Sequence, residues 1–136
     1  MIGEVLEEWD FLVEEGKVRE FARSVRDPHW QDAEPVPPPT FPVVASAAFI
    51  ERLVTQYLKL DRTRTVHGEE RYDHFGLIRV GEVLRCRGRV VSEIVKKGRR
   101  GGEMRIITTE VDFASKRTGE LLCRETMVTI EKEAAS

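Results

Sequence analysis

Asp27 and His29 lie two positions apart in RDPHWQD, Arg26 to Asp32, and an aspartate with an imidazole is a pairing that can move protons in general acid–base catalysis. The same residues suit a turn equally well, Asp27 as its cap and His29 as a partly exposed side chain beside proline. His67 and Glu69, in VHGEER, are also two apart. On a strand that spacing puts both on one face, either as a site wall or as part of a cross-strand ion pair. His74 reads as a surface residue near the end of the same segment. Lys96, Lys97, Arg99 and Arg100 crowd a glycine-rich segment, which offers either an attraction for phosphate groups or a solvated hairpin tip. Cys86 and Cys123 stand alone, with no CxxC and three scattered histidines. No metal-ligand spacing is found, and both thiols are expected to be reduced packing residues.

The elements that hold these groups alternate between rigid and regular. Arg26 to Thr40 contains five prolines, which remove amide donors and keep the backbone extended, so a long ordered loop is expected there. Its PPP run, Pro37 to Pro39, could be a ligand for a proline-binding module, but a rigid lead-in to the following helix is the better use. Before the loop, Trp9 to Val13 reads as a short strand and Glu15 to Val25 as an amphipathic helix, with Val18, Phe21, Ala22 and Val25 at helical spacing. After it, Val43 to Leu60 reads as a long central helix. Ser46 is the sole polar residue between Val43 and Ile50, so that half is expected to be enclosed on nearly every side, and the half beyond Glu51 to emerge at the surface.

The remainder reads as β: strands at Thr65 to Phe75, Val83 to Lys96, Glu103 to Ala114 and Leu121 to Ile130, with turns at Gly76 to Glu82, Lys96 to Gly102 and Lys116 to Gly119. In the second of these, Leu84, Cys86, Gly88 and Val90 share one face. Arg85, Arg87 and Arg89 take the other, where Glu110 and Asp112 across the sheet are their expected partners. The last strand alternates best through Leu122, Thr126, Val128 and Ile130, and the tail EKEAAS is expected to fray. A strand of about a dozen residues extends near 40 Å, against on the order of 12 Å for the buried half of the helix. A flat sheet would overhang it. The expected class is therefore α+β, a long central helix wrapped by a curved antiparallel sheet, with an edge strand open to pairing by a second copy or a related subunit.

With 136 residues the chain suits one domain, 1–136, and its formal charge of −2 favours neither nucleic acid nor an anionic membrane surface. No aromatic residues interleave the arginine stripe as a nucleic-acid surface would want. No apolar run reaches the roughly 20 residues that span a bilayer, and the amino terminus is acidic where a leader would be basic. A cytoplasmic protein with no nucleic-acid or membrane partner is expected.

GKVREFARSV (Gly16 to Val25), PPPTFPVV (Pro37 to Val44), VHGEERYDHF (Val66 to Phe75), IRVGEVLRCRGRV (Ile78 to Val90) and GELLCRETMVTI (Gly119 to Ile130) together resemble the hotdog-fold MaoC-like enoyl-thioester hydratases and the related FAS1-like dehydratase domain. In particular the chain is similar to the non-catalytic subunits of mycobacterial-type (3R)-hydroxyacyl-ACP dehydratases. The resemblance implies a single hotdog domain that lodges an acyl-CoA or acyl-ACP thioester at a dimer interface, its acyl chain beside the central helix. It implies no cofactor. Trp30, Thr40, Phe41, His67 and Glu69 are the residues it suggests for substrate binding. Catalytic members place an Asp/His dyad on the loop after the first helix to hold one water, and use a backbone amide at a helix amino terminus to stabilise the thioester oxyanion.

In those members the aspartate and histidine are five positions apart. Here Asp32 stands five beyond Asp27, and alignment on Pro28 puts Trp30 where the histidine belongs. The standard dyad is absent either way. Two expectations follow: a channel-lining subunit in a heterodimer with a MaoC-like catalytic chain, which is favoured, or a self-sufficient homodimer with an altered site at Asp27 and His29. An acyl-CoA thioesterase and a non-catalytic acyl-CoA binder are the remaining alternatives on this fold.

Overall fold

The computed structural model describes residues 1–134. Strand β1 (Val5–Leu12) leads into helix α1 (Glu15–Ser24), whose inner face is Val18 and Ala22. A one-turn 3-10 helix at Pro28–Gln31 interrupts the proline-rich loop. Helix α2 (Pro42–Arg52) follows, and the strands β2 (Thr65–His74), β3 (Val83–Lys97), β4 (Glu103–Ser115) and β5 (Leu121–Glu131) complete the chain. The strands form one antiparallel sheet in the order β1-β3-β4-β5-β2, so β2 lies at one edge and β1 at the other. Among the described residues no helix is long and apolar enough to cross a membrane.

The sheet packs on α2 as the lengths demanded. Phe49, 1% exposed, stacks on Trp9 of β1 with ring centroids 5.3 Å apart, while the Trp9 Nε1 donates to the Ala45 carbonyl at 3.0 Å. On β3, Gly88 makes this possible: a Cβ there would come within 2.3 Å of the Phe49 ring. Leu84, Cys86 and Val90 fill the same inner face of β3, as the alternation anticipated. Burying a side chain of the size of Phe49 contributes about 1.5–3 kcal/mol, so this aromatic contact is a main fastening between helix and sheet. The arrangement is the hotdog architecture that the resemblance implied.

Several details differ from the sequence expectations. Helix α2 is enclosed on one side only: Ala45, Ser46 and Phe49 are buried against the sheet, whereas Ala47 and Ala48 are exposed and Val43, Val44 and Ile50 half-buried. A single curved sheet covers one flank of a cylinder, and an apolar helix in a lone chain keeps the other flank open. The helix is also shorter than Val43 to Leu60. It passes into a π turn at Leu53–Tyr57, closed by the Leu58 amide on the Leu53 carbonyl at 2.8 Å, and Lys59 takes a left-handed conformation, φ 50°. On β5 the inward set is Cys123, Glu125, Met127 and Thr129, with Leu122 joined to it at the strand's start, and not Thr126, Val128 and Ile130. A register shift at Phe113/Ala114 makes this possible, because a one-residue slip exchanges the faces of a strand.

On the outer face, Arg89 pairs with Glu110 at 2.6 Å and Asp112 at 3.1 Å as expected. Arg85 and Arg87 turn instead to β1, with Arg85 2.7 Å from Asp10 and Arg87 3.2 Å from Glu8, since β1 flanks β3 on its other side. The tail is not frayed through its described part. Glu131 closes β5, and the nearly covered Glu133 carboxylate accepts the amides of Arg100 at 3.0 Å and Gly102 at 2.8 Å. Ala135 and Ser136, the end of that tail, lie outside the described residues.

Candidate active site

An open cleft of about 790 Å³ lies between the proline-rich loop and the segment after β2. Asp27, His29 and Asp32 stand on one wall, Pro37 to Pro39 and Pro42 on another, and His74 to Ile78 complete it. Phe75, Leu77 and Val36 are more than half exposed at 57%, 51% and 54%, so this wall is apolar and open in the single chain. The loop is held from behind by Arg19 of α1, which donates to the Trp30 carbonyl at 2.8 Å. No regular structure is needed for this order, because the prolines fix the backbone and one guanidinium ties it down.

The acid–base residues in the cleft are committed to one another. Asp27 Oδ1 accepts the backbone amide of His29 at 2.9 Å and so caps the 3-10 turn. The His29 ring faces Asp32 instead, Nδ1 to Oδ2 3.1 Å, with 73% of the imidazole exposed. An Asp27–His29 side-chain pair does not form, because a separation of two residues in a 3-10 turn brings the aspartate to the following amides and not to the ring. His74, which the sequence placed simply at the surface, joins this cleft, its Nε2 2.7 Å from the Pro39 carbonyl and its ring stacked on Tyr72 with centroids 6.5 Å apart.

The substrate-binding candidates separate. Trp30 lies beneath the Arg23 guanidinium, 5.0 Å from ring centroid to Cζ. Thr40 is exposed, and its carbonyl accepts the Val43 amide at 3.2 Å. Phe41 is fully buried, packed edge-on against Phe21 with centroids 5.7 Å apart and tilted against Phe11 at 6.3 Å; it is core. The entry to α2 offers little to an oxyanion, because the amides of Phe41, Val43 and Val44 already donate to the carbonyls of Pro38, Thr40 and Phe41. His67 and Glu69 stand toward the opposite end of β2 from His74. A register shift between them breaks the alternation that would have put them on one face, and the His67 Nε2 turns to the Glu69 carbonyl, 3.0 Å away.

The most perturbed carboxyl group lies elsewhere, at a position the sequence did not single out. Glu125 on β5 is 1% exposed, and burial together with the neighbouring Glu70 carboxyl pushes its carboxyl up to about 8. Tyr72 donates its hydroxyl to Glu125 Oε2 at 3.2 Å, and Ser46 of α2 faces the same carboxyl. The sequence held little signal for it: Ser46 is the one hydroxyl in its apolar helical stretch, but that hydroxyl donates to the Val43 carbonyl of its own helix at 3.3 Å and so demands no partner across the sheet. Cys86 and Cys123 are free thiols in the core, pushed up to about 12 chiefly by burial, and are therefore poor nucleophiles at neutral pH.

Residues 1–124 match the family described as FAS1-like, dehydratase domain region. A UPF0336 protein of Thermobifida fusca (strain YX) is 30% identical over 132 residues, covering 88% of this chain and 84% of that protein. In fold the chain is similar to the C-terminally truncated HadBC (3R-hydroxyacyl-ACP dehydratase) complex from Mycobacterium tuberculosis, with a TM-score of 0.65 at 22% identity over 91% of this chain and 94% of that one. It is also similar to a MaoC-like dehydratase, with a TM-score of 0.71 at 22% identity over 97% of this chain and 43% of that longer one. At these identities the two structural likenesses are likenesses of fold.

Proposed function

The chain belongs to the FAS1-like dehydratase domain region family, and from that premise we propose that it is a channel-lining subunit of a (3R)-specific enoyl-thioester hydratase or 3-hydroxyacyl-thioester dehydratase. A MaoC-like partner chain supplies the Asp/His dyad. The observation that carries this reading is the commitment of Asp27 to the His29 amide, which leaves no aspartate–histidine pair of the expected kind to hold a water over the cleft. The occupied amides at the start of α2 support it, since they leave the thioester oxygen to be stabilised from the partner's side. So do the open apolar surfaces, Phe75 and Leu77 on the cleft wall and Ala47 and Ala48 on α2, which a second chain would cover.

In this reading the cleft binds the acyl thioester and excludes water from it, and the partner carries out proton transfer. The chain acts in the cytoplasm on acyl-CoA or acyl-ACP. The test is hydration of crotonyl-CoA by the purified chain alone and with a co-expressed MaoC-like chain. The expected result is little or no turnover alone and strong turnover together, with His29→Ala leaving the joint activity within about twofold. Strong activity of the chain alone, lost in His29→Ala or Asp32→Asn, would overturn it. That outcome would select the second reading, an altered homodimeric site, which the His29–Asp32 contact and the nearby His74 favour.

A further inference from the structure

Below the open edge of the sheet, Glu70 and Glu125 meet across the β2–β5 ladder with no cation between them. Tyr72 pairs with Glu125 in the ladder and Glu70 with Met127, one inward position along. Glu125 Oε1 and both Glu70 oxygens are covered and accept no aligned hydrogen bond. His67 approaches, its Nε2 2.8 Å from Glu70 Oε2, yet that nitrogen is aligned on the Glu69 carbonyl. The other elements packed here bring no charge. From α2 comes the Ser46 hydroxyl; β4 contributes Val111, paired with Glu125, and Thr109 on the same inner face; on β5 itself the inward neighbours are Cys123 and Met127.

Two facing carboxylates in a buried site cannot both ionise. One proton resolves the conflict: a protonated Glu125 Oε1 donates to one Glu70 oxygen, which gives two of the three unpartnered oxygens a bond, while the Tyr72 hydroxyl keeps its bond to Glu125 Oε2. We propose that Glu70 and Glu125 share a single proton and form a pH-governed clasp that holds edge strand β2 against β5 and α2.

The direction of the response follows from linkage. In the folded chain Glu125 keeps its proton at pH values where the unfolded chain has lost it. The stabilisation is complete below the ordinary carboxyl range and is lost as pH rises through the folded value near 8. Beyond that point a second buried carboxylate forms without a counter-ion. Strand β2 is bonded to the sheet along one side only, so it is the element that yields.

The experiment is amide hydrogen exchange of the full chain between about pH 6 and about pH 9.5, corrected for intrinsic base catalysis, for the wild type, Glu125→Gln and Glu70→Gln. From about pH 6 to about pH 8 the opening of β2 in the wild type is expected to increase by up to about tenfold per pH unit and to level off above that, with β3 unchanged. Glu125→Gln is expected to lose this increase, and Glu70→Gln, which leaves Glu125 buried, to end it at a lower pH. The proposal is overturned if wild-type β2 opening is flat with pH, if Glu125→Gln keeps the wild-type slope, or if Glu70→Gln keeps the wild-type profile. Should either variant fail to fold, carboxyl carbon shifts of the wild type decide: a Glu125 that titrates in the ordinary carboxyl range overturns the proposal, and one that titrates well above it supports it. No step of this test involves catalysis, so its outcome is separate from that of the two-chain assay.

Discussion

Asp27 illustrates how one residue can satisfy a motif and still serve a turn. Its side chain reaches the His29 amide because an aspartate before a tight turn has that donor nearest to it. Asp27→Ala is therefore expected to cost about 1 kcal/mol of stability in urea unfolding, whereas His29→Ala, whose ring is largely in solvent, should leave stability unchanged. Equal losses in the two variants would mean that the His29–Asp32 contact is structural. Gly88 is a sharper constraint, because a methyl group there meets the Phe49 ring and not a flexible side chain. Gly88→Ala is expected to cost about 1–3 kcal/mol by overpacking, read as a lower urea midpoint with an unchanged slope. The residue that sequence reasoning missed, Glu125, was hidden by its neighbours. Arg124 and Thr126 face outward, and nothing local says which face of β5 is the inner one until its register with β4 is known.

At the level of elements, α2 has the clearest unfilled requirement. Its buried side is satisfied by the sheet, and its Ala47 and Ala48 side is flat, apolar and exposed. Ala48→Glu is expected to leave the isolated chain folded, by far-UV circular dichroism, and to abolish association with a MaoC-like partner in sedimentation. Association that survives the substitution would place the interface elsewhere. The β3–β4 hairpin is a second case. Its tip is basic, as read from the sequence, and the Glu133 carboxylate fastens it, with Gly98 and Gly102 so close that a Cβ on either would collide with that side chain. Hydrogen bonds from the Arg100 and Gly102 amides, with the Arg100 guanidinium, hold the Glu133 carboxyl below its usual range. The stabilisation is thus present above the ordinary carboxyl range and is lost as pH falls through the lowered value. Glu133→Gln should accordingly speed amide exchange at the hairpin tip at neutral pH and remove its acid dependence; unchanged exchange would show that the tip needs no such latch.

For the molecule as a whole, the proposed function makes assembly the decisive property. A complex of this chain with a MaoC-like partner is expected to run at the summed mass of one copy of each in sedimentation equilibrium, and to be active where neither chain is active alone. The sequence by itself determined the class of the fold: prolines forbid a helix where the loop lies, apolar spacing marks α1 and α2, and strands too long for their helix must curl. It also determined that the standard dyad is missing, since that follows from residue types at fixed separations. Only the tertiary structure decided which acid–base residues meet. His29 finds Asp32, His74 joins the cleft, His67 and Glu69 part at a bulge, and Glu70 reaches Glu125. The physical reason is that local sequence fixes backbone preference and periodicity, whereas contacts between β2 and β5, some fifty residues apart along the chain, depend on sheet order and register, which arise from packing the whole chain at once.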